Sequence, residues 1–207
     1  KIITVEDPVE YRLHGINQVQ VNEKIDLSFD RVLRSGLRQD PDVILVGEMR
    51  DKATVETGMR AAITGHLVFS TLHTNDAVST PVRLLDMGAP RYMVALSLQL
   101  VIAQRLVRVI CESCATDYQP LPHEHEWLRH ELQDADHHRC KRGKGCSHCN
   151  GTGFLGRTGV YEMLEMTNAV VEAANHEDLQ HFVRVARDQM AGHPLSRHAA
   201  RIAAEGR

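Results

Sequence analysis

An α/β fold built on a parallel sheet is what these 207 residues predict, and three observations carry that prediction. Short aliphatic runs at Ile2 to Glu6 (IITVE), Val43 to Val46 (VILV) and His66 to Leu72 (HLVFSTL) alternate with stretches of helical periodicity. The middle run is continuously aliphatic, as in a strand buried on both faces. Helix starts and stops also fall between the runs, with Ser28 and Asp51 as N-caps and Asp40-Pro41-Asp42 and Thr64-Gly65 as breaks.

Taken in order, the first run is stopped by Asp7-Pro8, a strand followed by a turn. A helix over Phe29 to Arg38 places Val32, Leu33 and Leu37 on one face. Asp51 opens a second helix that runs through Ile63, and HLVFSTL follows as another buried strand. Asp76 to Met87 reads as a helix, with Pro81 tolerable in its first turns and Gly88-Ala89-Pro90 ending it. Tyr92 to Val109 is apolar at helical spacing. Around Cys111 the periodicity disappears. Gly159 to Leu164 predicts one more strand, and Thr167 to Glu205 is helical in composition. Three regions result: a core at 1–110, a Cys- and His-rich module at 111–156, and a strand and helical region at 157–207.

Composition narrows the function. Aromatics make up 4% with Trp127 alone among tryptophans, so the core is aliphatic. A net charge of −3 gives no general pull toward nucleic acid or anionic lipid. No run approaches the ~18 apolar residues of a membrane span, and no signal peptide is recognisable. The expected location is the cytoplasm, with membrane contact only through a partner. Ten of the thirteen histidines lie from His123 onward, which makes the C-terminal half the more pH-sensitive. The chain opens on Lys1 directly into a strand and reads as part of something longer.

Four of the five cysteines form two CxxC pairs, Cys111/Cys114 and Cys146/Cys149, with 31 residues between them. Two sulfurs from each tight turn complete a tetrahedral shell, and four thiolates close it, so the expected ion is a structural zinc. Gly143 and Gly145 give the second turn its backbone freedom. Cys140 is left as a plain thiol. His148 lies inside the second pair, and a ligand swap is the lesser alternative; unliganded thiols are the bland one.

Glu48 ends the VILV strand (Val46-Gly47-Glu48), at the position where open α/β sheets bind ligands. There it can hold a magnesium-bound water or accept its proton; the structural alternative is a surface glutamate opening a helix. Glu6-Asp7-Pro8-Val9-Glu10 follows another strand and belongs at the same sheet edge. Asp7 serves equally well as a turn residue, whereas Glu10 has no local structural task. His73 follows the third strand at that edge, and His66 precedes it at the opposite end, where a structural role is simpler.

These segments resemble the C-terminal ATPase domain of the secretion ATPases of type II secretion and type IV pilus assembly (extension). Ile3 to Tyr11 is similar to the family's Asp box, Leu37 to Asp51 to its Walker B region, and Thr64 to Ala77 to its His box. The CxxC pairs resemble its tetracysteine zinc motif, and the similarity covers essentially the whole chain. The resemblance implies a RecA-like P-loop core and the cofactors ATP, Mg2+ and Zn2+. It implies Glu48 as general base or water-orienting residue and Glu10 as the carboxylate acting with magnesium. His66 and His73 become a pair coupling phosphate state to neighbouring subunits, and Arg157 a guanidinium packing on adenine. Asp7 and Arg50, inside the matching motifs, join this nucleotide-binding or coupling set. A homo-hexamer acting on an inner-membrane platform protein is implied, peripheral to the membrane and without a nucleic-acid partner. Leu85-Asp86-Met87-Gly88 and the histidine-rich C-terminal stretch point toward a pilus member of the mannose-sensitive haemagglutinin type.

The family's Walker A loop, GxxxxGK[ST], is not among the 207 residues, and the resemblance places it roughly two dozen residues before Lys1. Without that lysine and amide cradle the β- and γ-phosphates lose their main electrostatic support. The expectation is a chain that, alone, is poorly stable and does not hydrolyse ATP. Two rival readings remain open. One is a zinc-ribbon nucleic-acid module carried by Lys141, Arg142 and Lys144, and the other is a noncatalytic assembly scaffold.

Overall fold

The computed structural model describes residues 1–133 and 139–207. In chain order the elements begin with β1 (Ile2–Glu6), β2 (Asn17–Gln20), α1 (Phe29–Gly36), β3 (Val43–Val46), α2 (Lys52–Ile63), β4 (Leu67–Ser70), α3 (Ser79–Asp86) and α4 (Arg91–Ser97). They continue with β5 (Leu100–Ile110), β6 (Ala115–Asp117), α5 (Pro122–Leu132), β7 (Lys141–Gly143), β8 (Phe154–Glu165), α6 (Asn168–Asn175), α7 (Leu179–Gln189) and α8 (Leu195–Ala204). Two compact units form, one of residues 1–101 with 165–189 and the other of residues 102–164 with 190–207.

The first unit holds a parallel sheet of order β2-β1-β3-β4, in register along Val5, Val46 and Ser70. Because its strands share one direction, the segments after β1, β3 and β4 all emerge at a single rim. The helices start where local chemistry dictates. Ser28 Oγ accepts the Arg31 N–H at 3.4 Å to open α1, and Asp51 accepts both the N–H and the hydroxyl of Thr54 at 2.9 Å to open α2. Helix α1 tightens into a 3-10 turn at Leu37–Gln39. Asp76 precedes α3 instead of lying within it, and its Oδ1 accepts the Ser79 N–H at 2.7 Å.

Val5, Phe29, Val32, Leu33, Ile44, Val46 and Ala61 bury one face of the sheet beneath α1 and α2, which pack on each other. A second cluster, Val55, Met59, Leu84, Met93 and Val94, joins α2, α3 and α4. Helix α6 packs against α4 and α7. The expectation of strands buried on both faces holds for one face only. Leu67 and Phe69, on the row of the sheet opposite to Ile44 and Val46, are more than half exposed. The apolar run is therefore real, but its outward members are uncovered by the helices of this unit.

The apolar stretch Tyr92 to Val109 is not one helix. It stops at Ser97, and Leu100–Ile110 is a strand. Val101 and Ala103 are buried while Leu100, Ile102 and Gln104 are exposed, a period of two. Five β-branched residues, Val101, Ile102, Val107, Val109 and Ile110, crowd a helix and suit a pleat.

In the second unit β5 and β8 form a two-stranded sheet, and β6 pairs antiparallel with β7. Helices α5 and α8 pack on each other around Leu128, Cys140 and Ala200. This small core is what a short chain can assemble beside the cysteine turns.

Candidate functional site

At the rim of the parallel sheet, Gly47 follows β3 closely against β1, leaving little room for a side chain. Its N–H donates to Val5 O at 2.7 Å, and a Cβ there would lie 3.0 Å from that same oxygen. Thr71, just past β4, holds the other side: its hydroxyl donates to Gly47 O at 2.6 Å, and its carbonyl accepts the Met49 N–H at 3.1 Å. Glu48 is thereby fixed at the tip of an interior strand, with its side chain 18% exposed.

Three partners surround that carboxylate. Arg50 Nη2 pairs with Glu48 Oε1, while Arg50 Nη1 reaches Asp7 Oδ2 at 3.5 Å, bridging the ends of β3 and β1. His73 Nε2 lies 3.4 Å from Glu48 Oε2. The Arg50 hydrogen bond holds Glu48 below the usual carboxylate range, against the opposing effect of burial, with further help from the charges of Arg50 and His73. Arg50 is raised in return, chiefly by Glu48. The site thus keeps an ionised acceptor beside the His73 imidazole. Carboxylate oxygens of this kind fit a hard divalent cation.

Glu48, Arg50, Asp7 and His73 are brought together. Glu10 lies on the exposed segment after β1 and makes no hydrogen bond or ion pair among the described residues. His66 stands at the other end of β4, where its Nδ1 is 2.9 Å from Ala61 O and ties the strand to the end of α2. Arg157 is exposed on β8, in the second unit. Sequence reasoning overlooked Thr71 and Gln18. Gln18 Nε2 donates to Glu6 Oε1 at 3.0 Å and to Tyr11 O at 2.9 Å, and its Oε1 accepts the Leu13 N–H at 2.7 Å. The signal for Gln18 was the pair of glutamines in Asn17-Gln18-Val19-Gln20, which a strand places on one face.

In the second unit the four Sγ atoms of Cys111, Cys114, Cys146 and Cys149 lie within 4.8 Å of one another. Cys111–Cys146 and Cys114–Cys149 are 3.9 Å apart, and Cys146–Cys149 is 3.8 Å. A tetrahedron with metal–sulfur bonds of ~2.3 Å has edges of ~3.8 Å, so this set fits a closed thiolate shell. Backbone amides point at it. Cys146 N–H and Gly153 N–H donate to Cys149 Sγ at 3.3 and 3.2 Å and bring that thiol down to about 6. Burial, with the neighbouring thiols, pushes Cys114 up to about 11, against a backbone hydrogen bond from Gly145 that lowers it. His148 instead meets Ser113 Oγ at 3.3 Å, outside the sulfur set. Cys140 is buried under α5 and α8, where burial raises its thiol.

The parallel α/β core carries its polar cluster at the carboxyl ends of the strands, where open α/β sheets bind ligands, and it shares a chain with a four-cysteine ribbon. A family model described as "Type II/IV secretion system protein" matches residues 1–207, and the chain belongs to that family. It is 48% identical over 172 residues to "Type II secretion system protein E" of Aeromonas hydrophila, covering 83% of this chain and 34% of that protein. It is 44% identical over 191 residues to "Type IV pilus assembly ATPase PilB" of Thermus thermophilus, covering 87% of this chain and 21% of that one. The chain therefore spans about a third or less of these relatives. Among solved structures it is similar to the pilus retraction motor PilT with bound ADP, with a TM-score of 0.62, 34% identity, and 91% and 45% of the two chains covered. The Legionella pneumophila ATPase DotB, at TM-score 0.62 and 21% identity over 93% and 44%, shares the fold. No helix among the described residues is long and apolar enough to cross a membrane.

Proposed function

We propose that this chain is the C-terminal part of a cytoplasmic ATPase that drives type II secretion or type IV pilus assembly, acting as a homo-hexamer on an inner-membrane platform protein. One observation carries the reading: Glu48, at an interior strand tip, is gathered with Arg50, Asp7 and His73 in a chain of this family.

Bound Mg2+-ATP supplies the scissile phosphoryl group and the cation that shields its charge. Glu48 stays ionised and accepts a hydrogen bond from the attacking water, orienting it and drawing off its proton. Arg50 keeps that carboxylate in place and links it to the Asp7 segment. His73, open to solvent beside Glu48, is placed to register the state of the site and, with His66, to pass it on. Glu10 acts with the magnesium ion, and Arg157 packs on the adenine. The four cysteines hold a structural Zn2+ that builds the ribbon where little apolar core is available. The 207 residues contain no GxxxxGK[ST] sequence, and alone they are expected not to turn over ATP.

The test uses the full-length protein. Glu48→Gln should abolish magnesium-dependent phosphate release while a nonhydrolysable ATP analogue still binds. Undiminished turnover in that variant rejects the reading. A hexamer without any phosphate release would favour a scaffold instead.

A further inference from the structure

We infer that Gln18 is a positioning residue for the carboxylate edge of the site: its side-chain amide fixes the segment that carries Glu10. This rests on the function proposed above, in which Glu10 acts with magnesium. In the parallel ladder Thr4 stands opposite Gln18, and Glu6 opposite Gln20. Alternation therefore lays these four polar side chains on one face of β1 and β2. Glu6 Oε1 accepts from both the Thr4 hydroxyl and Gln18 Nε2. The second Nε2 hydrogen of Gln18 goes to Tyr11 O, and Gln18 Oε1 takes the Leu13 N–H. One amide thus uses both its donors and an acceptor to pin residues 11 and 13 to the strand edge. Gln20 Oε1 accepts the Val9 N–H at 3.3 Å, so the segment is held on either side of residue 10.

Glu10 itself is exposed and has no partner among the described residues. An unpartnered carboxylate on a surface segment ordinarily samples many positions, and a ligand must then meet the ordering cost. Holding the backbone at residues 9, 11 and 13 restricts it in advance. Only a glutamine serves at this position. A glutamate cannot donate to Tyr11 O or Glu6 and repels the latter, and leucine of similar size forms none of the three bonds. Gln18 is half-buried at the surface, so neither change threatens the apolar core.

The experiment compares Gln18→Leu, Gln18→Glu and Glu48→Gln in the full-length protein by steady-state hydrolysis at varied ATP and varied Mg2+. Loss of an outer-shell partner typically costs about 10–100-fold in activity or metal affinity. Both Gln18 variants are therefore expected to lower kcat within that range and raise the half-saturating Mg2+ concentration, with the ATP KM and the melting temperature nearly unchanged. A merely structural role would move the melting temperature and leave the magnesium midpoint alone, and that result overturns the inference. Wild-type kinetics in both Gln18 variants, with Glu48→Gln inactive, overturns it while sparing the proposed function. An active Glu48→Gln removes that function and the inference with it.

Discussion

His73 Nε2 and Glu48 Oε2 meet at 3.4 Å from the ends of two neighbouring parallel strands. Their exposures differ sharply, 94% for the imidazole and 18% for the carboxylate, so the histidine is the outward member and the glutamate the sheltered one. Sheltering suits a group that must act on one water, and exposure suits a group that must answer to something arriving. If the proposed function holds, Glu48→Gln in the full-length protein is expected to cost about 10²–10⁴ in kcat, the usual worth of a positioned base. His73→Gln should cost less in phosphate release and leave nucleotide affinity near its starting value. Phosphate-release kinetics and equilibrium binding of an ATP analogue separate the two.

Arg50 sets the acid limit of the site. Its hydrogen bond is the leading cause of the lowered Glu48 pKa, while burial acts in the opposite direction. Arg50→Ala removes the first and leaves the second, so the Glu48 carboxyl should rise toward or past its ordinary 4.5. The acid limb of the kcat/KM profile is expected to move to higher pH, with less change on the alkaline side. Stability follows the same sign. A carboxylate lowered in the folded state stabilises it fully above the ordinary value and loses that contribution as pH falls through the lowered one. Urea midpoints at pH 7 and pH 4 should therefore differ less in the variant than in the wild type.

The thiolate cluster predicts about one zinc per chain by metal analysis, since four sulfurs close a single shell. Chelation should unfold the second unit, because structural zinc contributes folding free energy of about 10–16 kcal/mol in small modules. Cys146→Ser should lose both the metal and the ribbon. Cys140→Ser should keep the metal, since that thiol packs among Leu128 and Ala200 away from the cluster. Full zinc content in Cys146→Ser would contradict the arrangement.

What the sequence disclosed follows from which signals are local. Caps at Ser28 and Asp51, the VILV strand and the CxxC turns depend on neighbours a few residues away, and each formed as its chemistry requires. The strand at Leu100–Ile110 was hidden because a short apolar stretch fits both a helical and an alternating period, and only pairing with β8 selects between them. The exposure of Leu67 and Phe69 was equally hidden, since a run of apolar residues does not say which row will be covered. At the rim, Glu48 and His73 were legible from strand direction alone. The Arg50 bridge to Asp7 and the Gln18 clamp were not, because both join segments whose spacing depends on sheet order.

Two glycines of the ribbon make the last prediction. Gly143 ends β7 and Gly153 precedes β8, and their backbones pass so closely that a Cβ on Gly143 would lie 2.0 Å from Gly153 O. A Cβ on Gly153, which has φ +78°, would lie 2.5 Å from Gly143 O. No rotamer relieves a clash with backbone, so Gly143→Ala must push the backbones at Gly143 and Gly153 apart. Gly153 also donates to Cys149 Sγ, and Gly153 O accepts the Cys111 N–H at 3.0 Å, so that separation pulls on both cysteine turns. The expected cost is at least about 3 kcal/mol, with the melting temperature of this unit falling by ~10 °C or more. Gly65→Ala is the control: it has a positive φ of +105°, which Gly143 does not, but nothing lies within 4 Å of its Cβ. Only the conformational penalty of about 1–2 kcal/mol applies there. Calorimetry together with zinc content reads the difference, and equal losses in the two variants would show that the close approach of the strands does not organise the cysteine ribbon.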